Sequence, residues 1–283
     1  MAKTNTFKNF LKERLKDIPY TVLLCVYFII TLSCGIYFSV LNQGRSIAIS
    51  YGFIAIIPIF LLLEYGLQIR FVPLFTALFF IMCIGGILGS CFDFYNFPLF
   101  DAFLHTLSGV LVLLMGMMIM NRILNNVDSH KNFFTSILFG VFFSLGIALI
   151  WEMCEYFGTT ILPVDMEEDM IIHEIKSFVL AGTHGKVVHL TDISKTVIYY
   201  GDNQTFTIDG YLDIGLFDTL NDMLVCMLGT IATAVILIVN RLLNWKLDKI
   251  LIPQVVIKQK QESSSCVNND NEILEKEKQK ENQ

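Results

Sequence analysis

Long apolar runs alternate with short polar connections along this chain. Six runs, residues 20–41, 47–68, 71–91, 101–121, 133–157 and 217–240, are mostly apolar over the roughly 20 residues that a helix needs to cross a bilayer. The second and third are separated only by Ile69 and Arg70, so the chain must turn tightly there. Pro58 and Pro73 mark places where a helix kinks or begins, which membrane helices tolerate when neighbours satisfy the freed carbonyls. The pattern predicts an all-α membrane protein with six transmembrane helices.

Residues 158–216, between the fifth and sixth runs, have a different pattern. Over 170–180 the apolar positions Ile171, Ile172, Ile175, Phe178 and Val179 follow helical spacing, and Gly182 and Gly185 end it. Residues 186–190, 196–200 and 204–208 suit short strands, the last two joined by the turn signal Gly201-Asp202-Asn203. A small α+β extracytoplasmic cap of one helix and a three-stranded meander is expected. Residues 1–19 form a basic amphipathic segment suited to the inner membrane face. Beyond 240, residues 241–249 read as a cytoplasmic extension of the last helix. The polar tail over 259–283 lacks aromatics, and disorder is expected there.

Composition agrees with this class. The chain is 54% hydrophobic and 16% charged, against the ~25% charged of soluble domains, and its mean hydropathy is +0.60. The net charge of −6 hides a segregation by loop. Lys3, Lys8, Lys12, Arg14 and Lys16, then Arg70, then Arg122 and Lys131, then Arg241, Lys246 and Lys249 fall on one side. The other side has Arg45 but collects Asp93, Asp165, Glu167, Glu168 and Asp169. An excess of Lys and Arg marks the cytoplasmic face, so both termini are expected inside a bacterial cell membrane. No small-x-small cleavage site follows the first run, which reads as a retained helix. The seven Cys include no C-x-x-C pair, and no P-loop, Gly-rich dinucleotide turn or nucleic-acid signature is present.

The candidate chemistry sits at the ends of three runs, in Asp101-Ala-Phe-Leu-His105, Glu152-Met-Cys-Glu155 and Asp218-Thr-Leu-Asn-Asp222. Residues three or four apart share a helix face, so each stretch offers two ionisable groups on one side. At about 1.5 Å per residue, His105, Glu152 and Asp222 lie one turn inside their helix ends, in a common layer. Asp101, Glu155 and Asp218 form a second layer nearer the surface. Ionisable groups within spans are costly and usually face the interior or a watery cavity. Read alone, Asp101 and Asp218 also suit N-caps or partners for the helix dipole. Glu64 reads as a helix-end carboxylate or the mark of an inner gate.

Carboxylates gathered together repel, and Arg45 is the sole Lys or Arg among the outer helix ends, on another loop. Compensation must come from His105, from shared protons or from a bound cation. His105, Glu152 and Asp222 are the expected ligands of a divalent cation. In ligand type they suit zinc, manganese or iron, while a carboxylate-rich pocket equally suits calcium, magnesium or sodium. Asp101, Glu155 and Asp218 are the expected additional ligands or acid/base groups, with Ser108, Thr219 and Asn221 as supporting donors or weaker ligands. His173, His184 and His189 read as surface or packing histidines. Gly109, Gly116, Gly140, Gly146 and Gly229 read as close-packing positions between helices.

At these positions the chain resembles the YjdF-like family of uncharacterised bacterial inner-membrane proteins. The likeness rests on Asp101-x-x-x-His105-x-x-x-Gly109, on Glu152-x-x-Glu155 followed by Tyr156, and on Asp218-Thr219-x-x-Asp222-Met223. It covers roughly residues 97–238, less the cap. This chain has Ala102 where the family commonly has a basic residue, Tyr156 where it tends to have Trp, and a longer connection before the last motif. The resemblance implies a bacterial multi-span protein with these polar positions at its centre, and it brings no activity with it. The residues themselves leave three function classes open. One is a cation-dependent hydrolase or transferase acting on a lipid or cell-envelope substrate. The others are an ion- or proton-coupled transporter and a non-catalytic envelope sensor or resistance protein.

Overall fold

A computed structural model describes residues 6–124, 129–162 and 164–255. The expected disorder over 259–283 lies outside the described residues. In chain order the elements are α1 (Phe7–Arg14), α2 (Ile18–Val40), α3 (Gly44–Ile54), α4 (Ile56–Leu67), β1 (Ile69–Arg70) and α5 (Pro73–Phe92). A 3-10 turn (Phe94–Asn96) leads to α6 (Phe100–Ile123) and α7 (His130–Ile161). Then come β2 (Ile171–Ile172), β3 (Ile175–Ser177), β4 (Val188–Leu190), β5 (Thr196–Tyr200), β6 (Gln204–Ile208) and β7 (Tyr211–Leu212). The chain continues through α8 (Leu216–Leu243), α9 (Asp248–Leu251) and β8 (Gln254–Val255).

Six helical stretches are long and apolar enough to cross a membrane, with α3 and α4 together making the second. That stretch is interrupted at Ala55, three residues before Pro58. Proline has no N–H to give the Ile54 carbonyl one turn earlier, and the Ala55 N–H bonds back to Gly52 at 3.0 Å. Pro73 opens α5, where its missing N–H costs nothing. The exposed surface of the spans is rich in Ile, Leu, Val and Phe, as in Val40, Leu62, Phe142 and Leu228, a surface suited to lipid.

Helix α6 lies at the centre, packed against α5, α7 and α8. Its buried residues, from Leu104 and Leu107 to Met117 and Met118, occur on nearly every side. Close approach depends on glycine. A methyl at Gly109 would overlap the carbonyl oxygen of Cys226 on α8, and one at Gly229 would overlap that of Thr106 on α6. Gly116 and Gly140 bring α6 and α7 together, a methyl on the first lying 2.8 Å from the Cα of the second. Ser144 on α7 joins Thr230 on α8 through their hydroxyls at 2.8 Å, and both reach the Gly109 carbonyl at 3.3 Å. Gly146 differs from expectation: nothing lies within 4 Å of it, so it faces away from any neighbour.

The end carrying α1 is tied by a buried ion pair. Glu64 is fully buried and accepts from Arg14 Nε at 3.0 Å, the Tyr20 hydroxyl at 2.8 Å and the Phe71 N–H at 2.6 Å. The remaining Arg14 nitrogens donate to Asp17 at 2.8 Å and to the Phe71 carbonyl at 2.6 Å, and the guanidinium lies over the Tyr20 ring. Glu64 is therefore a structural anchor for α1, α2 and the start of α5, rather than a solvated helix end. The expected extension of the last helix is also absent. α8 stops at Asn244, which is left-handed, and the chain returns so that β8 pairs antiparallel with β1 (Ile69↔Val255, Arg70↔Gln254).

The cap is built differently from expectation. Residues 170–180 form β2, β3 and a turn instead of a helix, because their β-branched isoleucines find partner strands: β2 pairs with β7 and β3 with β4. β5 and β6 form the expected hairpin, but β4 does not join it. The cap is thus three separate two-stranded ladders.

Gly109→Ala is expected to lower the melting temperature in detergent, at a cost of about 1–3 kcal/mol for overpacking, while Gly146→Ala leaves it unchanged. Thermal unfolding of both variants checks this. Glu64→Ala leaves the buried Arg14 with the half-exposed Asp17 as its remaining ionic partner and is expected to cost about 3 kcal/mol, read by the same assay.

Candidate functional site

The three acidic stretches meet at the cap end of the bundle. Asp101 and His105 lie one turn apart on α6, Glu152 and Glu155 on α7, and Asp218 and Asp222 on α8. Helical spacing aims each pair at one face, and the α6–α8 glycine contact brings the faces together. Gly109 is one turn beyond His105 and Cys226 one turn beyond Asp222, so the backbone contact sits directly behind the site. His105 Nε2 lies 3.3 Å from Asp222 Oδ2 and 3.6 Å from Asp101 Oδ1. Its Nδ1 lies 3.9 Å from Glu152 Oε1, an ion-pair distance too long for a hydrogen bond. Glu152 and Asp222 are buried, with side chains 5% and 7% exposed.

Two groups have ligand atoms all within 4.8 Å of one another: Asp101, His105 and Asp222, and Glu152, Glu155 and Asp222. Asp222 belongs to both. The expected division into a deep layer and an outer layer thus becomes two overlapping groups that cross the layers. Asp218 stands apart from them. Its Oδ2 accepts the Glu168 N–H at 3.0 Å, and it lines an open cavity of about 300 Å³ with Asp101, Asp222, Asn221, Tyr95 and Glu168.

Four carboxylates and one imidazole form the cluster, and among the described residues every ion pair they make involves His105. Two like charges 4 Å apart cost about 4 kcal/mol at an effective dielectric constant near 20. One imidazolium cannot offset four carboxylates at that cost, so protons or a bound cation must share the load.

Asp101 and Asp218 are first-turn residues rather than N-caps. The helix α8 start is held by Asp213, absent from the predicted set, whose Oδ2 accepts from the Phe217 N–H at 2.8 Å. Its Oδ1 accepts from Met170 N–H at 2.7 Å and Gly215 N–H at 3.3 Å, fastening the cap to the helix. An Asp two places before a Gly at a helix start was the available signal. Thr219 donates to Glu167 Oε1 at 3.2 Å, a second fastening. Ser108 spends its hydroxyl on the His105 carbonyl at 2.7 Å and is not a site donor. Among the cap histidines, His173 bonds the Ile193 carbonyl and His189 bonds Glu174.

Tyr95, in the turn before α6, was also not predicted, since a lone aromatic in a loop carries no periodic signal. Burial, and then the negative charge of Asp101, push its phenol up to about 12. It therefore stays a proton donor at the cavity wall. Glu168 is raised above the usual carboxylate range by burial first and then by Asp218 and Asp101.

Six apolar spans around a buried polar cluster define a multi-pass membrane protein. Residues 20–242 match a family described as predicted membrane protein, DUF2238, and the chain belongs to that family. No curated protein and no solved structure matches it.

The raised Glu168 carboxyl sets a pH dependence for the joint between cap and bundle. A raised folded value favours the protonated form, so the joint is tightest at low pH. It loosens as pH climbs from the ordinary glutamate value of 4.5 through the raised one. Glu168→Gln is expected to flatten this dependence, by less than about tenfold in opening equilibrium because a partly exposed carboxyl is screened. Hydrogen exchange at residues 166–170, corrected for intrinsic rates and compared between wild type and variant, measures it.

Proposed function

We propose that this is a bacterial inner-membrane protein whose cap-side cluster binds a divalent cation and acts on a lipid or cell-envelope substrate by hydrolysis or group transfer. The observation that carries the reading is one imidazole shared by three helices' carboxylates: Asp101 and Asp222 beside Nε2, Glu152 beside Nδ1. This favours Asp101, His105 Nε2 and Asp222 as the ligand set. Glu152, at an ion-pair distance from Nδ1, would need to close in by under about 1 Å to orient the ligand imidazole through its other nitrogen, a common support for metal-bound histidine. Glu155, within ligand distance of Glu152 and Asp222, is either a further ligand or the group that moves a proton.

A cation held here would supply Lewis acidity to a substrate oxygen or to water. The chain's own part is distinct. Glu155 and Asp218 accept or return a proton, Tyr95 donates from the cavity wall, and the apolar spans keep bulk water from the deeper ligands. The cavity opens where the spans give way to the cap, a position that suits a substrate with its polar head at a membrane surface. The Lys and Arg bias supports cytoplasmic termini, which puts the cap and this cavity on the outer face. The YjdF-like motifs support the bacterial assignment. Confinement of the cluster to one end of the bundle weighs against a transport path.

Protein purified in detergent is expected to hold a stoichiometric divalent metal by elemental analysis, lost in His105→Ala and Asp222→Asn. A saturating cation stabilises the chelator-stripped protein by about 2.7 kcal/mol at a hundred times its dissociation constant, read as a thermal shift absent from both variants. Equal metal content in wild type and variants, or no thermal response to any divalent cation, would overturn the reading.

A further inference from the structure

At the end of the bundle opposite the cluster, a cavity of about 470 Å³ is lined by Arg14, Arg70, Lys249 and the start of α5. Its cations are of two kinds. Arg14 is spent on Glu64, Asp17 and the Phe71 carbonyl, and the Asp17 carboxylate on the rim is held by Arg14 in turn. Arg70 and Lys249 are exposed, and among the described residues neither side chain makes an ion pair or hydrogen bond.

These two cations are far apart in sequence and are brought to one cavity by tertiary structure. The chain after the last span folds back, buries Ile252 at 8% exposure in the core and pairs β8 with β1. That ladder sets Arg70 opposite Gln254, and Gln254 bonds the Lys249 carbonyl at 3.3 Å. The start of the 20-residue helix α5 lines the same cavity, and its dipole adds positive potential. Two unpaired cations over a helix start make a receptor for a compact anion with several oxygens.

The rest of the lining narrows the source of that anion. Leu74 and Ile250 line the same cavity and are 40% and 50% exposed. Leu74 lies in the first turn of a membrane-length apolar helix, so an anion carrying apolar chains would find aliphatic surface beside the two cations.

We propose that this cavity binds the phosphate of an anionic phospholipid headgroup through Arg70 and Lys249, with the acyl chains along Leu74 and Ile250. The site is separate from the cation cluster and does not depend on what that cluster does. Anionic lipid at a Lys- and Arg-rich face is the setting in which such a site fills. Occupancy would hold the segment after the last span against β1 and the start of α5.

The test uses the full chain in nanodiscs of phosphatidylcholine, with and without phosphatidylglycerol, followed by thermal unfolding. Anionic lipid is expected to raise the melting temperature of the wild type. Most of that shift should be lost in R70Q/K249Q and kept in K8Q/K12Q, which removes two exposed cations from α1. Equal melting of all three proteins in phosphatidylcholine alone shows that the variants fold. Inorganic phosphate added to phosphatidylcholine nanodiscs should have little effect. A phosphate shift of the same size, lost in R70Q/K249Q, would overturn the lipid assignment in favour of a free anion. Equal loss in K8Q/K12Q, or a full shift in R70Q/K249Q, would overturn the site.

Discussion

The contact between α6 and α8 holds the acidic cluster of this protein together. Gly109 and Gly229 let each backbone press against a carbonyl of the other helix, a distance that any side chain would widen. Helix association in lipid has little hydrophobic drive and relies on such packing. The contact lies one turn behind His105 and Asp222, so it converts two separate helix faces into one pocket. Thr230 and Ser144 extend the same seam to α7, which contributes Glu152 and Glu155. The site is therefore a consequence of how three helices pack.

The two ends of the bundle solve the problem of buried charge in opposite ways. Glu64 is fully satisfied by a guanidinium, a phenol and a backbone N–H, and its role is to anchor. The cap-side carboxylates have one shared imidazole and no Lys or Arg partner among the described residues. Buried charge is stable only when paired and hydrogen-bonded, so an under-compensated cluster of this kind needs shared protons or a bound cation. The same contrast separates Arg14, which is spent, from Arg70 and Lys249, which are not.

The cap is fastened to the bundle through side chains that sit beside the cluster. Asp213 holds Met170 and the start of α8, Thr219 holds Glu167, and Asp218 holds the Glu168 N–H. Asp218 therefore has a foot in both places, lining the cavity and securing the segment over it. A change in charge at the cavity is felt at this joint, because Glu168 senses Asp218 and Asp101 directly.

Local sequence was enough for the spans, since twenty apolar residues have few other stable fates, and for the pairing of ionisable groups on each helix face. It also pointed to the glycines, although Gly146 lies within an apolar run as the packing glycines do and faces outward. What it lacked was everything set by partners distant in the chain. Isoleucines at 171, 172 and 175 fit a helix or a strand equally until β7 and β4 are beside them. Glu64 looked like a helix-end carboxylate because Arg14 lies fifty residues away. Residues 244–249 looked like more helix because nothing nearby announces that the chain turns back and pairs β8 with β1. Periodicity reports which face a residue occupies, and only packing decides what that face meets.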